Sequence, residues 1–245
     1  MGHVLAIWDL ETTDETPAQE DPLGVCVRFL KVVRLASGSL SLELLSTKYD
    51  SLVYPGGGKI PAESTQVHGI VMKDVSDPRA PALVEMAVVF CATIAEAKAE
   101  AGLTEPGGVC LLGHNSNVYD MKVMQCSLQR AEGRPGGWFE RLQEAGVVGL
   151  IDTLVLLGGR FKAIALPDGQ GKKLDSLYPF LFEAAALPNA HRAQGDVDGL
   201  IRIANTCESM KTCLLSQKVA QPLTVWWERQ QVMGTRAAWE KAQKG

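Results

Sequence analysis

Apolar residues run almost unbroken from 4 to 10 (VLAIWDL), the pattern of a strand buried on both faces. Residues 12–22 are polar, contain two prolines and read as a loop. The Val- and Leu-rich stretch 24–35 and the alternating stretch 39–47 flank Ser37-Gly38, which predicts an antiparallel hairpin. A further short segment, 50–54, ends at Pro55 and the glycines 56–58. Over 81–101, Leu83, Met86, Ala87, Phe90, Ile94 and Ala97 make a helical stripe, with Pro81 at its start and Gly102 past its end. A buried strand is predicted at 108–113, then a loop and a helix to about residue 131. Another strand is predicted at 147–151, with a helix beginning at 152–158. The stretch 160–173 is polar, basic and glycine-bearing, a loop pattern, and 174–186 is helical up to Pro188. From 193 to 210, Val197, Leu200, Ile201 and Ala204 share one helical face. Strands interleaved with helices define a mixed α/β class.

Composition changes this picture little. At 245 residues, 46% hydrophobic and 21% charged, the chain is ordinary for a globular protein with a well-buried core. No apolar run approaches the roughly 18 residues of a membrane span, and Asp9 interrupts the first one, so neither a secretory leader nor a membrane association is expected. Cysteines 26, 91, 110, 126, 207 and 213 form no Cys-x-x-Cys pair and lack zinc spacing to any histidine. They read as reduced thiols of an intracellular protein. The net charge of −4 is not that of a strongly basic nucleic-acid binder, but it is unevenly spread: residues 209–245 carry +4 and the rest −8. The same tail holds Trp226, Trp227 and Trp239, suited to packing on the core, to a dimer contact or to stacking on a nucleic-acid strand.

Candidate chemistry lies in three places. Asp9 and Glu11, in IWDLETT, are two apart on a strand and project to the same face. Asp120 ends GHNSNVYD, at the predicted start of a helix. His191 and Asp196 lie in HRAQGD; with a helix beginning near Ala193, Asp196 falls about one turn in and His191 on the loop before it. Alone, an Asp-x-Glu is an ordinary solvated strand end, His-Asn a polar turn and His191 a surface side chain. Together, four carboxylates would repel one another and raise their own pKa values unless a cation joined them. Carboxylate oxygens suit hard cations such as Mg²⁺ or Mn²⁺. A histidine, with its ordinary pKa near 6.5, suits proton abstraction at neutral pH.

In order and spacing, Asp-x-Glu, His-Asn-x4-Asp and His-x4-Asp resemble the DEDDh class of DnaQ-like 3′→5′ exonucleases, over residues 4–208. The resemblance implies a ribonuclease-H-like fold with a mixed central sheet flanked by helices. It divides the chain into an exonuclease domain, 1–208, and a basic, tryptophan-containing helical extension, 209–245. It implies that Asp9, Glu11, Asp120 and Asp196 hold two Mg²⁺ ions, replaceable by Mn²⁺, and that His191 is the general base. Asn115 would order the loop or the substrate sugar, Tyr119 would pack beneath the site, and His114, which precedes Asn115, is expected to pack or to lie next to the substrate and not to bind metal. Leu10, Thr12 and Thr13 flank the first carboxylates and are placed to touch the terminal nucleotide. Arg134, Arg160, Lys162, Lys172 and Lys173 are candidates for the phosphate backbone. His68, in a segment resembling the family's His-Gly-Ile, and Asp152, in IDTLVL, are expected to be structural, Asp152 as a helix cap. The forms AQGD and HN…VYD resemble the three-prime repair exonucleases, which favours DNA 3′ ends, single-stranded or frayed, over RNA. The product would be a nucleoside 5′-monophosphate, and a homodimer is possible. An exoribonuclease is the alternative within this class. An inactive nucleic-acid or protein-binding adaptor is the alternative outside it, and the presence of all five catalytic residue types argues against it.

Overall fold

A computed structural model describes residues 3–13, 19–56, 58–103, 108–158, 163–184, 186–215 and 219–242, apart from the side chains of His3 and of 233–242. The predicted apolar run becomes β1 (His3–Thr12), at the heart of a six-stranded sheet ordered β3-β2-β1-β4-β5-β6. β1 pairs antiparallel with β2 (Pro22–Arg34), which pairs antiparallel with β3 (Leu40–Leu52). On its other side β1 runs parallel to β4 (Gly108–Gly113), and β4 parallel to β5 (Val147–Asp152). The short β6 (Gln221–Pro222) closes that edge antiparallel to β5. Between β3 and β4 come α1 (Ala62–His68), α2 (Met72–Val75) and α3 (Leu83–Glu100). Between β4 and β5 lie α4 (Asp120–Glu132) and α5 (Gly137–Glu144). The next four are α6 (Thr153–Leu156), α7 (Leu174–Phe182), α8 (Ala193–Thr206) and α9 (Glu208–Leu215), and α10 (Leu223–Ala242) follows β6.

The alternation of β1 builds two cores, one on each face of the sheet. Val4, Ala6, Trp8 and Leu10 join Phe90 of α3, Met121 of α4, Trp138 of α5 and Trp226 of α10. Trp8, Phe90 and Trp138 pack as an aromatic cluster with ring centroids 5.4–6.3 Å apart. Leu5 and Ile7 face the other way, against Leu177 of α7, Val197 and Leu200 of α8 and Met210 of α9. Asp9 and Glu11 continue this second face, so the α8 side of the sheet receives both carboxylates.

Four elements differ from the sequence pattern. Residues 50–52 are no separate segment: they extend β3 and keep pairing with β2 (Cys26↔Asp50, Gly24↔Leu52), past an irregularity near Arg28 that breaks the alternation. The helix predicted over 193–210 is two, because Cys207 adopts extended backbone (φ −82°, ψ 99°), while Met210 still falls on the same core. α7 stops at Phe182, where Glu183 turns left-handed (φ 47°). α5, eight residues between turns, is too short to stand out as a periodicity. The tail contributes β6 to the sheet and Trp226 to the core.

Candidate active site

The carboxyl ends of β1 and β4 open into a cleft of about 490 Å³. Asp9 and Glu11 come from β1, whose register against β2 shifts between Glu11 and Thr12. Such irregularities re-aim side chains beside functional sites. Asp120 enters from the first turn of α4, and Asp196 from the first turn of α8. Asp9, Glu11 and Asp196 each offer an oxygen within 4.8 Å of the others. His191 lies on the cleft rim, exposed, on the turn before α8. Its φ of 60° is unusual for a side chain with a Cβ, a strain that persists where the surroundings impose it. Here they do. The Asn189 carbonyl accepts the Arg192 N–H and packs so closely on the first turn of α8 that a Cβ at Gly195 would lie 2.1 Å from it.

Electrostatics mark the cluster as short of positive charge. Burial, then Asp120, Asp196 and Glu11, push the Asp9 carboxyl well above the usual range. Burial with Asp196 and Asp120 raises Glu11 to about 8, partly offset by Arg192. Burial raises Asp120 to about 7 against backbone N–H bonds from Asp120 and Leu10, and raises Asp196 to about 6 against the influence of His191. Glu11 Oε1 is buried without a hydrogen-bond partner among the described residues. An orphaned carboxylate oxygen amid three more carboxyls is a donor set that fits a divalent cation. Burial lowers the pKa of His68 and of His114, so both favour the neutral form. A larger groove of about 690 Å³ lies beyond Arg192, and none of the cluster lines it.

The fold recurs in a solved exonuclease. Exonuclease I of E. coli in complex with a dT13 oligonucleotide superposes with a TM-score of 0.60 at 17% identity, over 88% of this chain and 43% of that one. The zinc-bound form of its complex with single-stranded DNA gives 0.61 at 17% identity, over 88% and 42%. A structure of exonuclease I described as suggesting how processivity is achieved gives 0.60 at 15% identity, over 87% and 43%. The chain thus spans less than half the length of these proteins. No protein-family model matches the chain, and no curated protein matches it in sequence. The mixed six-stranded sheet flanked by helices is the ribonuclease-H-like exonuclease fold.

The structure brings all five candidate catalytic residues to one cleft, with Leu10, Thr12, His114 and Tyr119 also on its walls. Tyr119 donates its hydroxyl proton to Glu20 Oε2 (2.6 Å), and its oxygen lies 2.8 Å from Thr12 Oγ1. It thereby ties the residue before Asp120 to the residue after Glu11. His114 Nδ1 meets Thr153 Oγ1 at 2.8 Å. Thr13 is turned to the loop, its Oγ1 accepting the Asp21 N–H. Asn115 is exposed with φ 64°, and neither it nor the exposed Lys172 and Lys173 line the cleft. Arg160 and Lys162 lie outside the described residues. Arg134 pairs with Glu140 at 2.7 Å, away from the cleft. Asp152 caps α6 by accepting the Leu154 N–H at 2.9 Å. The sequence reading missed the α1 wall of Glu63, Ser64 and Val67, and Arg192 behind Glu11. Only the proximity of Arg192 to His191 in sequence offered a signal.

Proposed function

We propose that this protein is a metal-dependent 3′→5′ exonuclease that removes nucleoside 5′-monophosphates from DNA, with single-stranded ends preferred to RNA. The observation that carries the reading is the convergence of Asp9, Glu11, Asp120 and Asp196, with raised pKa values and an unpartnered Glu11 oxygen, beneath His191 in one open cleft. Asp9, Glu11 and Asp196 would hold a divalent cation, Mg²⁺ or Mn²⁺, with Asp120 and Asp9 serving a second. Such ions supply counter-charge to the phosphate oxygens and acidify water.

The chain's own groups do the rest. An imidazole nitrogen of His191 accepts the proton of the attacking water, for which an exposed rim position allows repeated protonation and release. The water oxygen bonds to phosphorus, and the bond from phosphorus to the 3′ oxygen of the preceding nucleotide breaks. That oxygen takes a proton to leave a new 3′ hydroxyl. The Tyr119–Thr12 contact holds the strand end and the α4 N-terminus in register. Leu10 and Val67 give the terminal nucleoside apolar walls. DNA as the substrate is supported by the motif resemblance to three-prime repair exonucleases and by the oligonucleotides bound to the E. coli neighbours.

Time courses on one sequence prepared as single-stranded DNA, duplex DNA and RNA test this reading, with products separated by chromatography. Nucleoside 5′-monophosphates released fastest from single-stranded DNA are expected. Faster release from RNA would overturn the substrate assignment, and internal fragments without mononucleotides would overturn the exonuclease assignment.

A further inference from the structure

The C-terminal helix reaches the site from behind. Trp226 of α10 is 2% exposed, and its indole Nε1–H donates to the Asn117 carbonyl at 2.8 Å. Asn117 belongs to the loop 114–119 that leads from β4 into Asp120. From the other side, the Asp152 carboxylate accepts the Asn115 N–H at 2.9 Å and the Asn117 N–H at 3.3 Å. The N–H and the carbonyl of Asn117 are thus gripped by different elements. Three residues on, Asp120 enters the cleft from the first turn of α4, on the same walls as Asp9, Leu10 and Glu11. Helix α10 is itself well fixed. Gln221 and Pro222 pair with β5, and Trp227 stacks on Phe139 with centroids 5.2 Å apart and planes 12° from parallel.

We propose that Trp226 is a positioning residue for Asp120: its indole N–H fixes the 114–119 loop, so that the C-terminal helix sets the cation affinity of the carboxylate cluster. The proposal rests on reading that cluster as a cation site. Groups that orient ligands from behind set affinity because the ligand oxygens must meet the ion at a defined distance and angle. The device lies beyond residue 208, outside the stretch that resembles the exonuclease motifs. Trp138 supplies an internal contrast. It is fully buried in the same core, yet its Nε1 has no hydrogen-bond partner among the described residues.

Mn²⁺ binding to the full-length protein without nucleic acid, followed by the electron paramagnetic resonance of free Mn²⁺, tests the proposal. Trp226→Phe keeps an aromatic ring and deletes the N–H, and should weaken Mn²⁺ binding by about ten-fold. Trp138→Phe should leave binding unchanged, and Asp120→Asn should weaken it. A purely packing role for Trp226 would lower the melting temperature and leave Mn²⁺ affinity intact, which would overturn the proposal. Should Trp226→Phe not fold, benzothienylalanine at position 226 keeps the bicyclic shape without the N–H and gives the same readout. If Asp120→Asn weakens binding and the altered position 226 does not, the proposal alone falls. If the wild-type protein binds no Mn²⁺, the cation site falls and the proposal with it.

Discussion

Single side chains carry the proposed chemistry, and their types were legible because few residues can do it. A hard cation needs carboxylates, and proton abstraction at neutral pH needs a histidine, so Asp9, Glu11, Asp120, Asp196 and His191 stand out in the chain. Glu63, Ser64 and Val67 did not, because the wall of a cleft has no required residue type. Arg192 and Glu20 escaped for a different reason: their roles depend on contacts made only after folding, with Glu11 and Tyr119. His191→Ala should lower the turnover rate by about 10²–10⁴-fold, the range for losing a general base, while leaving DNA binding close to wild type. Turnover and binding measured on the same oligonucleotide check this, and an unchanged rate would remove His191 from the proton path. Tyr119→Phe deletes the hydroxyl shared with Glu20 and Thr12. It should destabilise the fold by about 1–3 kcal/mol, since the Glu20 carboxyl is left buried, as denaturant titration would show.

At the level of elements, the hydrophobic patterns gave β1–β5 and the helices α3, α4, α7 and α8, and tertiary structure decided the boundaries. β4 begins and ends where the apolar run does, because both of its faces are buried. β3 is longer than its pattern, because pairing with β2 continues beyond the break in alternation. α5 was invisible: its two buried side chains, Trp138 and Leu142, do not make a pattern until α3 and α10 cover them. The turn that bears His191 depends on α8, whose Gly195 admits the Asn189 carbonyl. A Cβ there clashes with backbone, which cannot rotate away as a side chain can. Gly195→Ala should therefore displace the His191 turn and cut activity by about ten-fold or more, consistent with the sensitivity of catalysis to small misplacements. Chemical shifts of the His191 ring in wild type and variant, together with rates, check this; wild-type shifts and rate would contradict it.

The whole molecule concentrates negative charge at one place and stays folded with it. Glu11, Asp120 and Asp196 have folded-state pKa values of about 8, 7 and 6. In the unfolded chain such carboxyls titrate near pH 4. Between these values the folded protein holds protons that the unfolded chain has released, so rising pH favours unfolding. The melting temperature of the metal-free protein should fall from pH 5 to pH 8, and the rise on adding Mg²⁺ should be larger at pH 8. Equal Mg²⁺ effects at both pH values would contradict the cation site. The fold itself was legible as mixed α/β, and its topology is that of a solved exonuclease at 17% identity or less. Packing of the tail on the core was among the readings its tryptophans allowed, and Trp226 does close the core; nothing in its sequence announces that Trp226 also touches the Asp120 loop. The most direct test of the account is degradation of 5′-labelled single-stranded DNA with Mg²⁺, with chelator, and by the His191→Ala and Asp196→Ala proteins. A ladder shortening from the 3′ end, abolished by chelator and by either substitution, is the predicted result. No ladder at protein concentrations that bind the DNA, or one that survives chelation, would contradict it.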